Sequence, residues 1–126
     1  MRNNIVAACM IMLLGTSCVQ KTYKQTVVFL LDTKAVKNIH SVGLRGIDKP
    51  LSWDDDLQMV ALKKDTSYTA TVTFLTGYQF TEVKFVINDQ FELKDQPNRR
   101  ITFAKGDTTV FEAAFNSLKT EAKIKL

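Results

Sequence analysis

SYTATVTFL, Ser67–Leu75, is the stretch that decides the fold. Tyr68, Ala70, Val72 and Phe74 fall on one side of it, and Thr69, Thr71 and Thr73 on the other. An extended chain sends successive side chains to opposite faces, and aromatic and β-branched residues suit a pleated, half-buried surface. The segment therefore reads as a strand with one face on a core and one in water.

Similar signals recur on both sides of it. TVVFLLD (Thr26–Asp32) is a β-branched and aromatic run followed by the turn-like TKAVKN. IHSVGLRG (Ile39–Gly46) sets Ile39, Ser41, Gly43 and Arg45 against His40, Val42 and Leu44. IDKPLSWDDD holds Pro50 and three consecutive acids and reads as a loop. LQMVALKKD (Leu57–Asp65) is ambiguous, because Leu57, Val60 and Ala61 also suit a helical turn. After the turn TGYQF come TEVKFVIN (Thr81–Asn88), ITFAKGD and TTVFEAAF (Thr108–Phe115), with Gly106-Asp107 between the last two. Roughly seven short strands with no convincing long helix predict an all-β fold, an immunoglobulin-like antiparallel β-sandwich. The ending NSLKTEAKIKL is polar and reads as a frayed helix or a disordered tail over residues 117–126.

The chain of 126 residues suits one domain. Hydrophobic residues at 45% and charged residues at 24% fit a globular domain rather than a disordered one. A formal charge of +4 from scattered basic residues argues against a nucleic-acid surface, which needs a clustered Lys/Arg stripe.

MRNNIVAACMIMLLGTSC opens the chain with one early arginine, an apolar run from Ile5 to Leu14, and small residues before Cys18. That run is too short to span a bilayer as a helix and matches the core of a signal peptide. LLGTSC resembles a bacterial lipobox, in which the cysteine thiol is acylated and the preceding peptide removed. Gly15 stands three residues before Cys18 where leucine is usual, a relaxed form seen in Bacteroidetes-like bacteria. The alternative is a plain secretory signal with an incidental cysteine. Residues 1–17 are thus expected as a lipoprotein signal, 18–25 as a lipidated tether and 26–116 as the folded domain. Removal of residues 1–17 takes Cys9 and Arg2 away. With lipid on Cys18, no cysteine then remains for a disulfide, a zinc site or a nucleophile. The expected place is the cell envelope, lipid-anchored at the outer membrane, on either its periplasmic or its exposed face.

Signals for catalysis are weak. His40 is the one histidine, on the apolar side of a predicted strand, where a core or edge role outweighs that of a base. There is no G-x-S-x-G and no metal-ligand spacing of His, Cys and acids. Asp54, Asp55 and Asp56 are oxygen ligands in principle, but consecutive acids splay apart, and a solvated loop accounts for them better. The reading is a protein that is not an enzyme, without metal or cofactor. Trp53, the single tryptophan, lies in the Pro-containing acidic loop, either plugging the end of the sandwich or offering a flat apolar platform. An aromatic face stacks on the axial C–H groups of a sugar for on the order of 1 kcal/mol.

In order along the chain stand LSW (Leu51–Trp53), EVKF (Glu82–Phe85), FE (Phe91–Glu92) and PNRRITF (Pro97–Phe103). This set resembles the starch-binding domains of carbohydrate-binding module family 20 and the related glycogen-binding modules of family 48. The likeness covers about Thr26 to Asn116. It implies that Trp53 and Phe91 stack on glucose rings, that Lys84 and Asn98 hydrogen-bond sugar hydroxyls, and that Glu92 borders the site. Two positions depart from the pattern: Phe91 stands where tryptophan is usual, and Ser52 where glycine is usual. Tyr78 and Phe80 are the candidates for a second aromatic pair. The implied partner is an α-glucan or malto-oligosaccharide, bound at about 4–8 kcal/mol for millimolar to micromolar dissociation constants. A partner hydrolase or transporter at the envelope would fit such a role. Against this stand two plainer readings. Glu82, Lys84, Glu92 and Arg99 would form surface ion pairs, each worth less than about 1 kcal/mol. Or the sandwich would serve protein–protein contact with no sugar bound, since fold does not fix function.

Overall fold

The computed structural model describes residues 21–106, 108–118 and 120–124, the last of these through its backbone alone. The expected signal peptide and the lipidation site Cys18 lie outside the described residues. Ten strands and no helix are found among the described residues: β1 (Tyr23–Asp32), β2 (Val42–Gly46), β3 (Leu57–Gln58), β4 (Val60–Lys63), β5 (Ser67–Thr76), β6 (Phe80–Ile87), β7 (Gln90–Phe91), β8 (Arg99–Thr102), β9 (Thr109–Ala114) and β10 (Thr120–Ile124). The first sheet runs β10-β9-β1-β5-β4. The second runs β3-β2-β6-β7, with β8 also paired to β6. The chain is an all-β sandwich.

The alternation of β5 is realised along its whole length. Tyr68, Ala70, Val72 and Phe74 are buried, while Thr71, Thr73 and Leu75 face water. β1 contributes Val27, Phe29 and Leu31 to the same core, and β6 contributes Val83, Phe85 and Ile87 from the second sheet. Phe29 joins the layers: it meets Phe85 and Phe111 edge-on, each with ring centroids 6.2 Å away. Edge-to-face contact is a preferred geometry for such rings, because the positive edge of one meets the negative face of the other.

Several expectations need correction. The strands number ten rather than seven, because Leu57–Asp65, a crossing between sheets, divides into β3 and β4, and the short β7 and the late β10 are added. β3 pairs with β2 in the second sheet and β4 with β5 in the first. Buried Met59 sits between them, its amide donating to the Val42 carbonyl at 2.9 Å. A segment that changes sheets shows no single period, hence its ambiguity. The pairing is not wholly antiparallel, for β1 runs parallel to β9. The strand β1 begins at Tyr23, inside the residues expected as a tether. The expected polar tail contains β10, which pairs antiparallel with β9. His40 precedes β2 and is exposed, not on an apolar face.

The arrangement of β6 positions everything that follows. Thr81, Val83, Phe85 and Ile87 face the core, so Phe80, Glu82, Lys84 and Val86 face outward. Val86 is nonetheless fully buried. Something therefore covers the outer side of the second sheet at that end.

Candidate functional site

The cover is built from two pieces of chain. The first is a tight hairpin from β6 to β7. Ile87 pairs with Gln90, leaving Asn88 and Asp89 as a two-residue loop with φ of 52° and 61°. Positive φ at both central residues is the type I′ turn, whose twist matches a hairpin and which asparagine and aspartate tolerate. The Asn88 carboxamide holds the turn: Oδ1 accepts from the amides of His40 and Ser41, and Nδ2 donates to the Asn38 carbonyl. The hairpin sets Phe91 directly opposite Val86, on the outward side. Phe91 is 42% exposed.

The second piece is the loop between β2 and β3. Leu51 anchors it in the core, and the Gly46 amide donates to the Ser52 carbonyl at 3.2 Å. Ser52 Oγ accepts from the amides of Asp54 (3.2 Å) and Asp55 (3.1 Å), so the serine that replaces glycine here organises the turn itself. The loop then crosses β2 at Gly43. A methyl placed on Gly43 would lie 2.7 Å from Asp56 Cβ, so only glycine admits the crossing. Gly43 pairs with Val86. The loop on one side and Phe91 on the other roof that valine.

Trp53 and Phe91 meet on this roof with ring centroids 6.4 Å apart and planes inclined at 55°. Trp53 is half-buried and outside the core, so it does not plug the sandwich. Arg45 joins the two. Its Nε donates to Asp56 Oδ1 at 2.5 Å, and its Nη1 to the Trp53 carbonyl at 3.0 Å. Its guanidinium carbon lies 5.1 Å from the centre of the Phe91 ring, within the range of a cation–π contact.

Of the other residues expected at the site, Lys84 is present and partly engaged. It is the cross-strand partner of Arg45. Its Nζ donates to the carbonyls of Leu93 (3.2 Å) and Gln96 (3.0 Å), holding the loop that follows Phe91 and using two of an ammonium's three donors. That loop is strained, with Leu93 at φ 50°, unusual for a bulky residue. Asn98 is exposed where the chain enters β8, on the rim of a depression of about 180 Å³ shared with Leu93, Pro97 and Phe111. Among the described residues nothing bonds it to the aromatic pair.

Glu92 is a correction. It does not border the site: it is fully buried, and its carboxylate takes a two-pronged bond from Arg99, Nε to Oε2 at 2.6 Å and Nη2 to Oε1 at 2.7 Å. The amides of Phe85 and Asn116 complete its shell. The physical reason is local. Phe91 opposes Val86 and faces outward, so alternation sets Glu92 opposite Phe85 and facing inward, its amide on the Phe85 carbonyl, where its carboxylate meets Arg99. The reading of Glu92 and Arg99 as a surface ion pair falls with it.

Tyr78 and Phe80 do form a pair, with centroids 6.3 Å apart and Arg100 stacked 3.6 Å over the Phe80 ring, at the opposite end of β6 from Trp53. No group of three or more His, Cys, Asp or Glu able to hold a metal occurs among the described residues. Asp56 is taken up by Arg45, and Asp54 and Asp55 are exposed. Sequence reasoning missed Arg45, Asp56 and Gly43 as parts of the site. The outward parity of Arg45 and a glycine two residues earlier were the only signals, and both are common in strands. Compared with known proteins, the chain matches no family model and none of the characterised proteins closely enough to count as a relative.

Proposed function

We propose that the chain is a non-catalytic binding protein for starch- or glycogen-type α-glucan or malto-oligosaccharide, held at the bacterial cell envelope by lipid on Cys18. The observation that carries this reading is the meeting of Trp53 and Phe91, distant in sequence, as a partly exposed inclined pair outside the core. A glucose ring offers apolar C–H faces and a rim of hydroxyls. Two inclined aromatic faces suit the former, and the remaining donor of Lys84 suits the latter. Asn98, exposed where the chain enters β8, would add a hydrogen bond to a sugar hydroxyl. Phe91 supplies less area than tryptophan and no N–H donor, so the affinity belongs in the millimolar to micromolar range, about 4–8 kcal/mol. A carrier of this kind would hold substrate near a hydrolase or transporter.

Because Trp53 is the only tryptophan, its fluorescence reports the site directly. Saturable change on adding maltoheptaose, retention on amylopectin and loss of retention in Trp53→Ala are the expected results. A wild-type protein that is not retained, and whose spectrum no α-glucan moves, would sink the reading.

A second reading, protein contact without sugar, has its own observation. Val60 and Leu62 on the edge strand β4 are 67% and 62% exposed, and Leu75 on neighbouring β5 is 66% exposed. Edge strands with apolar side chains are templates for pairing with another chain. Loss of a complex in Val60→Lys/Leu62→Lys, with glucan retention unaltered, would favour it.

A further inference from the structure

Trp53 and Phe91 have no backbone reason to face one another. Trp53 belongs to a loop tied down at Leu51 and Ser52, and Phe91 to the two-residue strand β7 at the far side of β6. Between them run β2 and β6, whose outward residues at this level are Gly43 and Val86. Neither carries a polar group able to orient a ring. One side chain touches both aromatics: Arg45 bonds Trp53 through its carbonyl and Phe91 through its ring face.

Arg45 is itself fixed. Its third contact is the Asp56 carboxylate, and the pair is shielded, with side-chain exposures of 18% and 9%. Asp56 in turn rests on Gly43, where no larger residue fits. The order is therefore a relay: Gly43 admits Asp56, Asp56 aims Arg45, and Arg45 ties the backbone carbonyl of Trp53 to the ring of Phe91. The other charged groups nearby do not compete for it. Lys84 is bonded to the carbonyls of Leu93 and Gln96, and Asp54 and Asp55 are turned to solvent.

We propose that Arg45 is the positioning residue of the binding site, setting the angle and spacing of the Trp53–Phe91 pair through one planar guanidinium. This rests on the glucan-binding reading for its ligand but not for its geometry. The task needs arginine. A guanidinium presents several donors in a rigid plane and packs against an aromatic face, whereas a lysine ammonium is a compact point charge that cannot bond Asp56, bond the Trp53 carbonyl and reach over Phe91 together. Lysine at position 45 keeps the charge and the Asp56 attraction and loses the rest.

The test compares wild type, Arg45→Lys, Phe91→Ala and the double variant by maltoheptaose titration, acrylamide quenching of Trp53 and urea denaturation. Arg45→Lys is expected to weaken maltoheptaose binding about tenfold, equivalent to roughly 1.4 kcal/mol, and to make Trp53 more quenchable without ligand. The double variant should bind no worse than the weaker single one, since both substitutions break the same pair. Arg45→Lys that binds and quenches as wild type overturns the proposal. So does strict additivity with Phe91→Ala, or a change confined to the denaturation midpoint. If the wild type does not respond to maltoheptaose, the functional reading fails by itself. Quenching in the four proteins then still decides whether Arg45 holds the pair: coupled changes uphold it and independent changes reject it.

Discussion

Arg99 with Glu92 and Arg45 with Asp56 are the same chemistry met at two depths. Each arginine bonds a carboxylate and a backbone carbonyl, and each lies over a phenylalanine, Phe85 in one case and Phe91 in the other. The inner pair has side-chain exposures of 3% and 0%, the outer one 18% and 9%. The inner pair gathers chain ends. Arg99 Nη2 reaches the Ala114 and Ser117 carbonyls, while Glu92 takes the Phe85 and Asn116 amides, so β6, β8 and the turn after β9 meet at one point. The outer pair ties the backbone of the Trp53 loop to the ring of Phe91. Burial separates their duties: one closes the fold, the other shapes a surface.

The inner pair offers the largest break. Glu92→Ala leaves a buried guanidinium uncompensated, and removing one partner of a buried pair costs about 3–5 kcal/mol. Urea denaturation should show that loss, and Arg99→Met a comparable one. Glu92→Leu/Arg99→Met should recover much of it, because taking both charges out together avoids the stranded ion. Single variants that each cost under about 1 kcal/mol would show that the pair is no more than a surface contact.

The outer pair is the next test. Asp56→Ala should cost about 1–2 kcal/mol, between the values for exposed and buried pairs, since both partners retain some contact with water. Its sharper signature is in Trp53: with Arg45 unaimed, emission should shift to the red and quenching rise. Equal losses of stability in Asp56→Ala and Glu92→Ala, with Trp53 unmoved, would erase the distinction between the two depths.

The inequality of the two pairs was not legible in the sequence. Alternation in Ser67–Leu75 and Thr81–Asn88 gave the faces of β5 and β6, because those strands keep one side on the core throughout. The inward face of Glu92 follows from alternation once Phe91 is known to lie opposite Val86, but a two-residue strand is too short to show that period in the sequence. Its partner seven residues later, Arg99, read as half of a surface ion pair, whereas both groups are buried. Leu57–Asp65 hid its strands by changing sheets at Met59. The parallel pairing of β1 with β9 hid for another reason: alternation tells which face a residue takes, not which strand lies beside it. At the site, the likeness to starch-binding modules singled out Trp53 and Phe91, which the structure brings together, and Glu92, which it buries. Arg45 sat in an ordinary alternating strand. A residue that acts by holding others carries no motif of its own.

Adjacent residues give the finest form of the comparison. Phe91 and Glu92 share a backbone, yet one faces water beside Trp53 and the other lies wholly inside. Phe91→Ala removes a ring that meets the inclined Trp53 and the Arg45 guanidinium and helps to roof Val86, worth together about 1–2 kcal/mol at a partly exposed position. Its denaturation midpoint should thus move less than that of Glu92→Ala one residue on, where about 3–5 kcal/mol is lost. Binding should respond in the opposite sense: Phe91→Ala should lose retention on amylopectin, whereas the folded fraction of a Glu92 variant should keep it. The two substitutions form a crossed pair, in which stability and affinity exchange places across a single peptide bond. A Phe91→Ala protein that unfolds as readily as Glu92→Ala would mean that the ring is part of the roof over Val86 before it is part of any site. Gel retention measured well below the denaturation midpoint separates the two outcomes, because there both proteins are folded and retention reads the ring's part in the site rather than in stability.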